Sequence, residues 1–267
     1  MVNEYAIKQQ LCDIGKRIYQ NGFVAANDGN FSVKISENEF LCTPTGISKG
    51  FMTPDMICKV DKEGKVLQAS GNYKPSSEIK MHMRVYKLRP DVNAVVHAHP
   101  PYATSFAIAG IPLTQPIMPE AVISLGCVPI AEYGMPSTDE IPDAVEKYLQ
   151  HYDAVLLENH GALSWSVDLT QAYYKMESLE FYAKLLFISR QLGGPKELNE
   201  TQVQGLYELR KAFALPGKHP ADLCIGKNDC GGCHRHEQEH DKNQAANGAD
   251  IEKIVAEVTR KVLSQLK

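Results

Sequence analysis

The sequence predicts an α/β protein whose sheet is covered by helices, without the regular strand–helix alternation of a plain dinucleotide-binding fold. Two observations carry that prediction. Apolar residues recur at helical spacing near the start of the chain and again along 170–191. Between them lie short apolar or alternating runs bounded by turn signals. No internal repeat is visible.

The first helix is expected over Glu4–Gln20, where Ile7, Leu11, Ile14 and Ile18 share one face. "FSVKI", "EFLCT", "MICKVD" and "VLQAS" follow as strands of a meander, separated by turns such as "DGN" and "KEG". A second helix, 77–87, starts after Pro75. "NAVVHAHP" reads as a buried strand and "YATSFAIAG" as a helix. "AVLLENHGALSWSV" reads as two strands about a turn, and 170–191 as a long helix.

Composition bounds the function. The 267 residues carry 43% hydrophobic and 22% charged side chains and a net charge of -4, which describes one sizeable core and an appendage. The strong positive charge that nucleic-acid binding favours is lacking, so no nucleic-acid partner is expected. No stretch reaches the roughly 18 apolar residues of a membrane span, so no membrane partner is expected either. The opening "MVNEYAIKQQ" is polar and acidic where a secretory signal needs a basic start and an apolar core, and the expected location is the cytoplasm.

The organisation changes near Leu215. Residues 1–214 form the expected main domain, and 215–249 lose apolar periodicity and take on the composition of a tether. Residues 250–267 return to a pattern: Ile251, Ile254, Val255, Val258, Val262 and Leu266 trace one stripe of an amphipathic helix that Asp250 caps. The seven cysteines make no disulfide framework, and Cys12, Cys42, Cys58 and Cys127 are expected to be reduced. Cys224, Cys230, Cys233, His234, His236 and His240 lie in the tether, where a single CxxC without a second well-spaced pair favours adventitious metal affinity over a built zinc site.

"NAVVHAHPPYATS" places two imidazoles at the end of an apolar strand. Side chains alternate along a strand, so His97 and His99 project to the same face with small Ala98 between them. His160, in "LLENHGAL", ends another apolar run. Three imidazoles from two strand ends suit one tetrahedral metal with a position left open for substrate. In "GNYKPSSEIKMH", Glu78 stands at a helix start that also offers Ser76, Ser77 and free N–H groups. That stretch reads either as ordinary capping or as an anion pocket. "ANDGNFS" and "TPTGIS" read as turns, or as loops adding donors to the same anion.

Taken together, "GNFS", "TPTG", "PSSE", "HAHP" and "NHG", in that order over about 4–213, resemble the class II aldolase and adducin-like family, most closely its sugar-phosphate aldolases. The resemblance implies a three-layer α/β/α domain with a central, mainly antiparallel sheet. It implies a zinc or other divalent metal on His97, His99 and His160, with Glu78 as catalytic carboxylate that also reaches the metal. It puts the substrate phosphate on Asn30, Thr45, Gly46, Ser76 and Ser77. It implies a homotetramer with sites between subunits, and a ketose 1-phosphate such as L-fuculose or L-rhamnulose 1-phosphate split to dihydroxyacetone phosphate and lactaldehyde. A 5-deoxyribulose-1-phosphate aldolase, an epimerase, a dehydratase and a non-catalytic assembly protein are the alternatives.

One departure from the family pattern stands out. The family's acid is a tyrosine from a neighbouring subunit, and "QPIMPEAVISLG" has none there. Glu120 in that stretch reads either as the acid in the tyrosine's place, ahead of Tyr133 and Tyr207, or as a surface carboxylate. The tether and apolar C-terminal stripe resemble the encapsulation peptides of bacterial microcompartments, which implies a shell protein or a co-encapsulated enzyme as partner.

Overall fold

The computed structural model describes residues 3–223. The chain divides into two compact units, Met1–Asp222 and Leu223–Lys267. The expected C-terminal helix and the Cys/His-rich stretch lie outside the described residues.

Helix α1 spans Glu4–Gln20, with Asn3 accepting a hydrogen bond from the Ala6 N–H as its cap. Strands β1 (Asn30–Lys34), β2 (Phe40–Cys42), β3 (Cys58–Val60) and β4 (Val66–Gln68) form the expected meander. Helix α2 (Ile79–Leu88), strand β5 (Ala94–Ala98) and helix α3 (Pro101–Ile108) follow. Helix α4 (Pro119–Ser124), strand β6 (Ile130–Ala131) and helix α5 (Glu140–Glu146) occupy a stretch for which the sequence predicts no element. Strands β7 (Ala154–Leu157) and β8 (Gly161–Ser166) make the hairpin around His160, helix α6 spans Leu169–Gln191, and an unpredicted α7 covers Glu200–Ala212.

The eight strands form one sheet in the order β4-β3-β2-β1-β5-β8-β7-β6. Every neighbouring pair is antiparallel except β6 with β7. Strand alternation sorts the side chains into two cores. Ala94, Val96 and Ala98 of β5 join residues of α1, α3 and α6 on one face, while Val95 joins α2 and α5 on the other. The result is the three-layer α/β/α arrangement. His97 shares the parity of Val95, so it points to the α2 side, where Glu78 stands at the helix start.

Packing continues past residue 214. His219 is buried, its Nε2–H donates to the Val122 carbonyl at 2.8 Å, and its Nδ1 accepts from the Ala221 N–H at 3.1 Å. Arg210 reaches the Ile123 and Pro216 carbonyls. Nearby, Asp153 accepts from Arg89 at 2.8 Å and from Lys175 at 2.5 Å, a buried charge group that joins β7 to α2 and α6. Cys12, Cys42 and Cys58 are free and buried, as expected. Cys127 is disulfide-bonded, which corrects the expectation of four reduced thiols.

Candidate functional site

Three neighbouring strands build the site. Antiparallel pairing sets Asn30 of β1 opposite His97 of β5, and β8 begins at Gly161, directly after His160. The turn that delivers His160 runs through Asn159 in the left-handed region, at a φ of 54°. Beneath them, the backbone ties two loops together. The Thr45 N–H donates to the Lys74 carbonyl at 2.9 Å and the Ser76 N–H to the Thr43 carbonyl at 3.2 Å. "TPTG" and "PSSE", distant in sequence, thereby become one wall.

The three imidazoles converge. One ring nitrogen from each lies within 4.8 Å of the others, and the His97 and His99 Nε2 atoms are 3.1 Å apart. Glu78 completes the group, with Oε2 3.4 Å from His97 Nε2 and Oε1 3.3 Å from His160 Nε2. A tetrahedral zinc with bonds of about 2.0–2.1 Å needs donors about 3.3–3.4 Å apart, so these spacings and this donor set fit a divalent metal. The tautomer fits too. His97 donates its Nδ1–H to the Ala162 carbonyl at 2.9 Å, which leaves the Nε2 lone pair facing the cluster.

Burial favours the neutral form of His97 and His99. Burial, and then the neighbouring His99 and His160, hold the His97 imidazole well below its ordinary range. Burial lowers His99 as well, against the opposing pull of Asp28 and Glu78. Neutral imidazoles are the form that binds metal. Glu78 is also held by Asn30, whose Nδ2–H donates to Oε2, the oxygen that faces His97, at 2.8 Å.

A cavity of about 230 Å³ opens beside the cluster, lined among others by Asn30, Thr45, Ser76, Ser77, Glu78 and His160. Residues 9–187 match the Class II Aldolase and Adducin N-terminal domain. The chain belongs to that family. An L-fuculose phosphate aldolase of Methanococcus maripaludis is 34% identical over 66% of this chain and 93% of its own. A 3-oxo-tetronate 4-phosphate decarboxylase of Haemophilus influenzae is 31% identical over 77% of this chain and 98% of its own. A solved L-fuculose 1-phosphate aldolase superposes with a TM-score of 0.71 at 29% identity, covering 79% of this chain and 97% of its own. The protein is thus a class II aldolase enzyme, of a family that depends in general on a divalent metal.

Most of the expected site residues of this class II aldolase come together. His97, His99, His160 and Glu78 form the cluster, and Asn30, Thr45, Ser76 and Ser77 line the cavity. Gly46 adjoins Thr45 without lining the cavity, with a φ of 73° that suits a glycine. Glu120 stands exposed in the first turn of α4, and it, Tyr133 and Tyr207 are not among the lining residues. Two charged lining residues, Asp28 and Lys49, are not among the expected site residues. Asp28 lies 3.4 Å from His99 Nδ1, and Lys49 is a buried lysine from the turn after "TPTG". A lone Asp or Lys beside glycine carries no chemical signature in sequence.

Proposed function

We propose that this class II aldolase cleaves a ketose 1-phosphate, with L-fuculose or L-rhamnulose 1-phosphate as the first choice, to dihydroxyacetone phosphate and lactaldehyde. The observation that carries the reading is the meeting of three imidazoles and a carboxylate with a serine- and threonine-lined cavity. A zinc or other divalent ion on the imidazoles would supply Lewis acidity toward the enediolate charge. Cleavage moves one proton. It leaves the hydroxyl beyond the scissile bond, the carbon–carbon electron pair passes to the carbonyl side as an enediolate, and a proton joins the enediolate carbon. Glu78, held by Asn30, carries it. Ser76, Ser77, Thr45 and Gly46 hold the phosphate. Glu120, exposed on its own subunit, relays that hydroxyl proton toward Glu78 in the site of a neighbouring copy within a tetramer, and is the acid at the aldehyde oxygen in the reverse, condensing direction.

A second reading has its own support. Loss of carbon dioxide from 3-oxo-tetronate 4-phosphate would leave the same enediolate and forms no aldehyde, so it needs no residue at an aldehyde oxygen, and Glu120, Tyr133 and Tyr207 are not among the residues lining the cavity. The discriminating experiment gives the zinc-loaded enzyme each substrate, with and without chelator, and follows dihydroxyacetone phosphate. Chelator-sensitive release from the fuculose or rhamnulose ester is the expected result. Release only from the tetronate ester selects decarboxylation; release only from 5-deoxyribulose 1-phosphate moves the substrate one carbon down. If none yields product, epimerase and dehydratase assays come next.

The apolar stripe at 250–266 supports delivery to a bacterial microcompartment, where released lactaldehyde would be contained. Full-length chain should co-sediment with shell proteins and a chain ending at Asp222 should not. Equal behaviour of the two refutes the targeting.

A further inference from the structure

Lys49 is 1% exposed, and a buried ammonium needs a reason. Its Nζ donates to the Asn27 carbonyl at 2.8 Å and to the Ile47 carbonyl at 2.7 Å. Those two carbonyls belong to the two loops that bring Asn30 and Thr45 to the cavity, and Lys49 itself lines that cavity together with Ser76 and Ser77. Neither carbonyl neutralises the charge. The carboxylate that acts on it electrostatically is Asp28, which is turned toward His99 Nδ1 at 3.4 Å. A cation without a committed salt-bridge partner among the described residues therefore sits in the wall of a pocket rich in hydroxyls.

We propose that Lys49 is a positioning residue for the substrate phosphate: its ammonium pins the 27–30 and 45–47 loops through their carbonyls and supplies the fixed positive charge of the anion pocket. The proposal rests on the sugar-phosphate reading of the cavity. Hydroxyls alone orient a dianion and leave its charge unmatched, whereas a desolvated ammonium in the same wall acts in a low dielectric, where charge counts most. An ammonium that served only as a loop pin could be replaced by any neutral donor of similar length. A counter-charge could not.

The test uses the zinc-loaded full chain and inorganic phosphate as probe, with zinc affinity read in parallel. Wild type should bind phosphate, Ser77→Ala should weaken that binding, and Lys49→Gln should weaken it by about tenfold or more while zinc affinity stays unchanged. Lys49→Arg should restore most of it. In turnover, the Lys49→Gln loss should fall on KM more than on kcat. Phosphate affinity that survives Lys49→Gln overturns the proposal and leaves the aldolase reading intact. An equal loss of zinc and phosphate affinity also overturns it, since that marks a purely structural lysine. If wild type binds no phosphate, or Ser77→Ala has no effect, the anion pocket itself is wrong and the proposal falls with it. Should Lys49→Gln fail to fold, the Lys49 side-chain amine resonance, assigned by its loss in Lys49→Arg, decides: it must shift on adding phosphate, and a resonance that stays put refutes the role.

Discussion

Replacing Gly161 with alanine probes how tightly the metal cluster is bound to the hairpin that carries it. A Cβ at 161 would lie 2.6 Å from the Ala98 carbonyl oxygen and 2.6 Å from His99 Cδ2, with His97 Cε1 at 3.4 Å. Unstrained contacts sit at about 3.5 Å, so each close pair must open by about 1 Å. The first obstacle is backbone of β5, locked in a ladder with β8 at Ala98 and Ala162. The second is a ligand ring. Overpacking of this kind costs about 1–3 kcal/mol, and a displaced supporting contact lowers metal affinity by about 10–100-fold. Competition against a chromophoric chelator gives the zinc affinity, and a thermal melt gives the stability, with a Tm loss of about 2–4 °C per kcal/mol expected at this size. Zinc affinity equal to wild type, with or without a lower Tm, refutes the coupling, because the strain would then have been absorbed without moving His99.

Three further outcomes follow from the same structure. Glu78→Gln should retain zinc on the three imidazoles and slow turnover by about 10²–10⁴-fold, measured as kcat against zinc stoichiometry. Asp153→Asn should destabilise by about 3 kcal/mol in a urea titration, because Arg89 and Lys175 lose their shared buried counter-charge. Burial pulls the His219 imidazole down to about 4, below its ordinary 6.5, so the unfolded chain takes the proton first as pH falls. Stability from the neutral ring is therefore full above pH 6.5 and is lost toward pH 4, by about 1.4 kcal/mol per unit and about 3 kcal/mol in all; His219→Gln should flatten that part of the Tm profile.

How much was legible depended on how local the signal was. The stripe of α1, the meander and the β5 and β7–β8 runs are written in residue spacing, and each appears where expected. β6 has two residues, too few for any period, and gains its place from parallel pairing with β7. α5 carries Pro142 and α7 carries Gly205, which obscure helices held by tertiary packing; the Asn199–Gln202 capping box of α7 was a local sign that the sequence reading passed over. In the site, motif residues with distinctive chemistry were readable. Lys49 and Asp28 were not, because their roles arise from where the folded loops put an ordinary charge.

Asn30 lines the cavity and also touches Glu78, so two roles for it can be told apart by experiment. The family pattern puts it on the phosphate, yet its amide is spent on Glu78 at 2.8 Å, and its own Oδ1 is buried without a partner. A donor to a carboxylate is worth about 1.5–3 kcal/mol, so Asn30→Ala should cost about 10–150-fold in kcat if the contact is what holds Glu78 for proton transfer. Asn30→Asp keeps the shape and sets a second carboxylate against the first, which should cost more than the alanine does. A phosphate contact predicts the other pattern: KM rises, more for the aspartate, which repels the dianion, than for the alanine, and kcat holds. Because Asn30 pairs with His97 across β1 and β5, the same residue links the proton carrier to the metal ligands through the sheet. The kcat and KM of these two variants therefore decide whether the sheet or the loop wall owns this side chain.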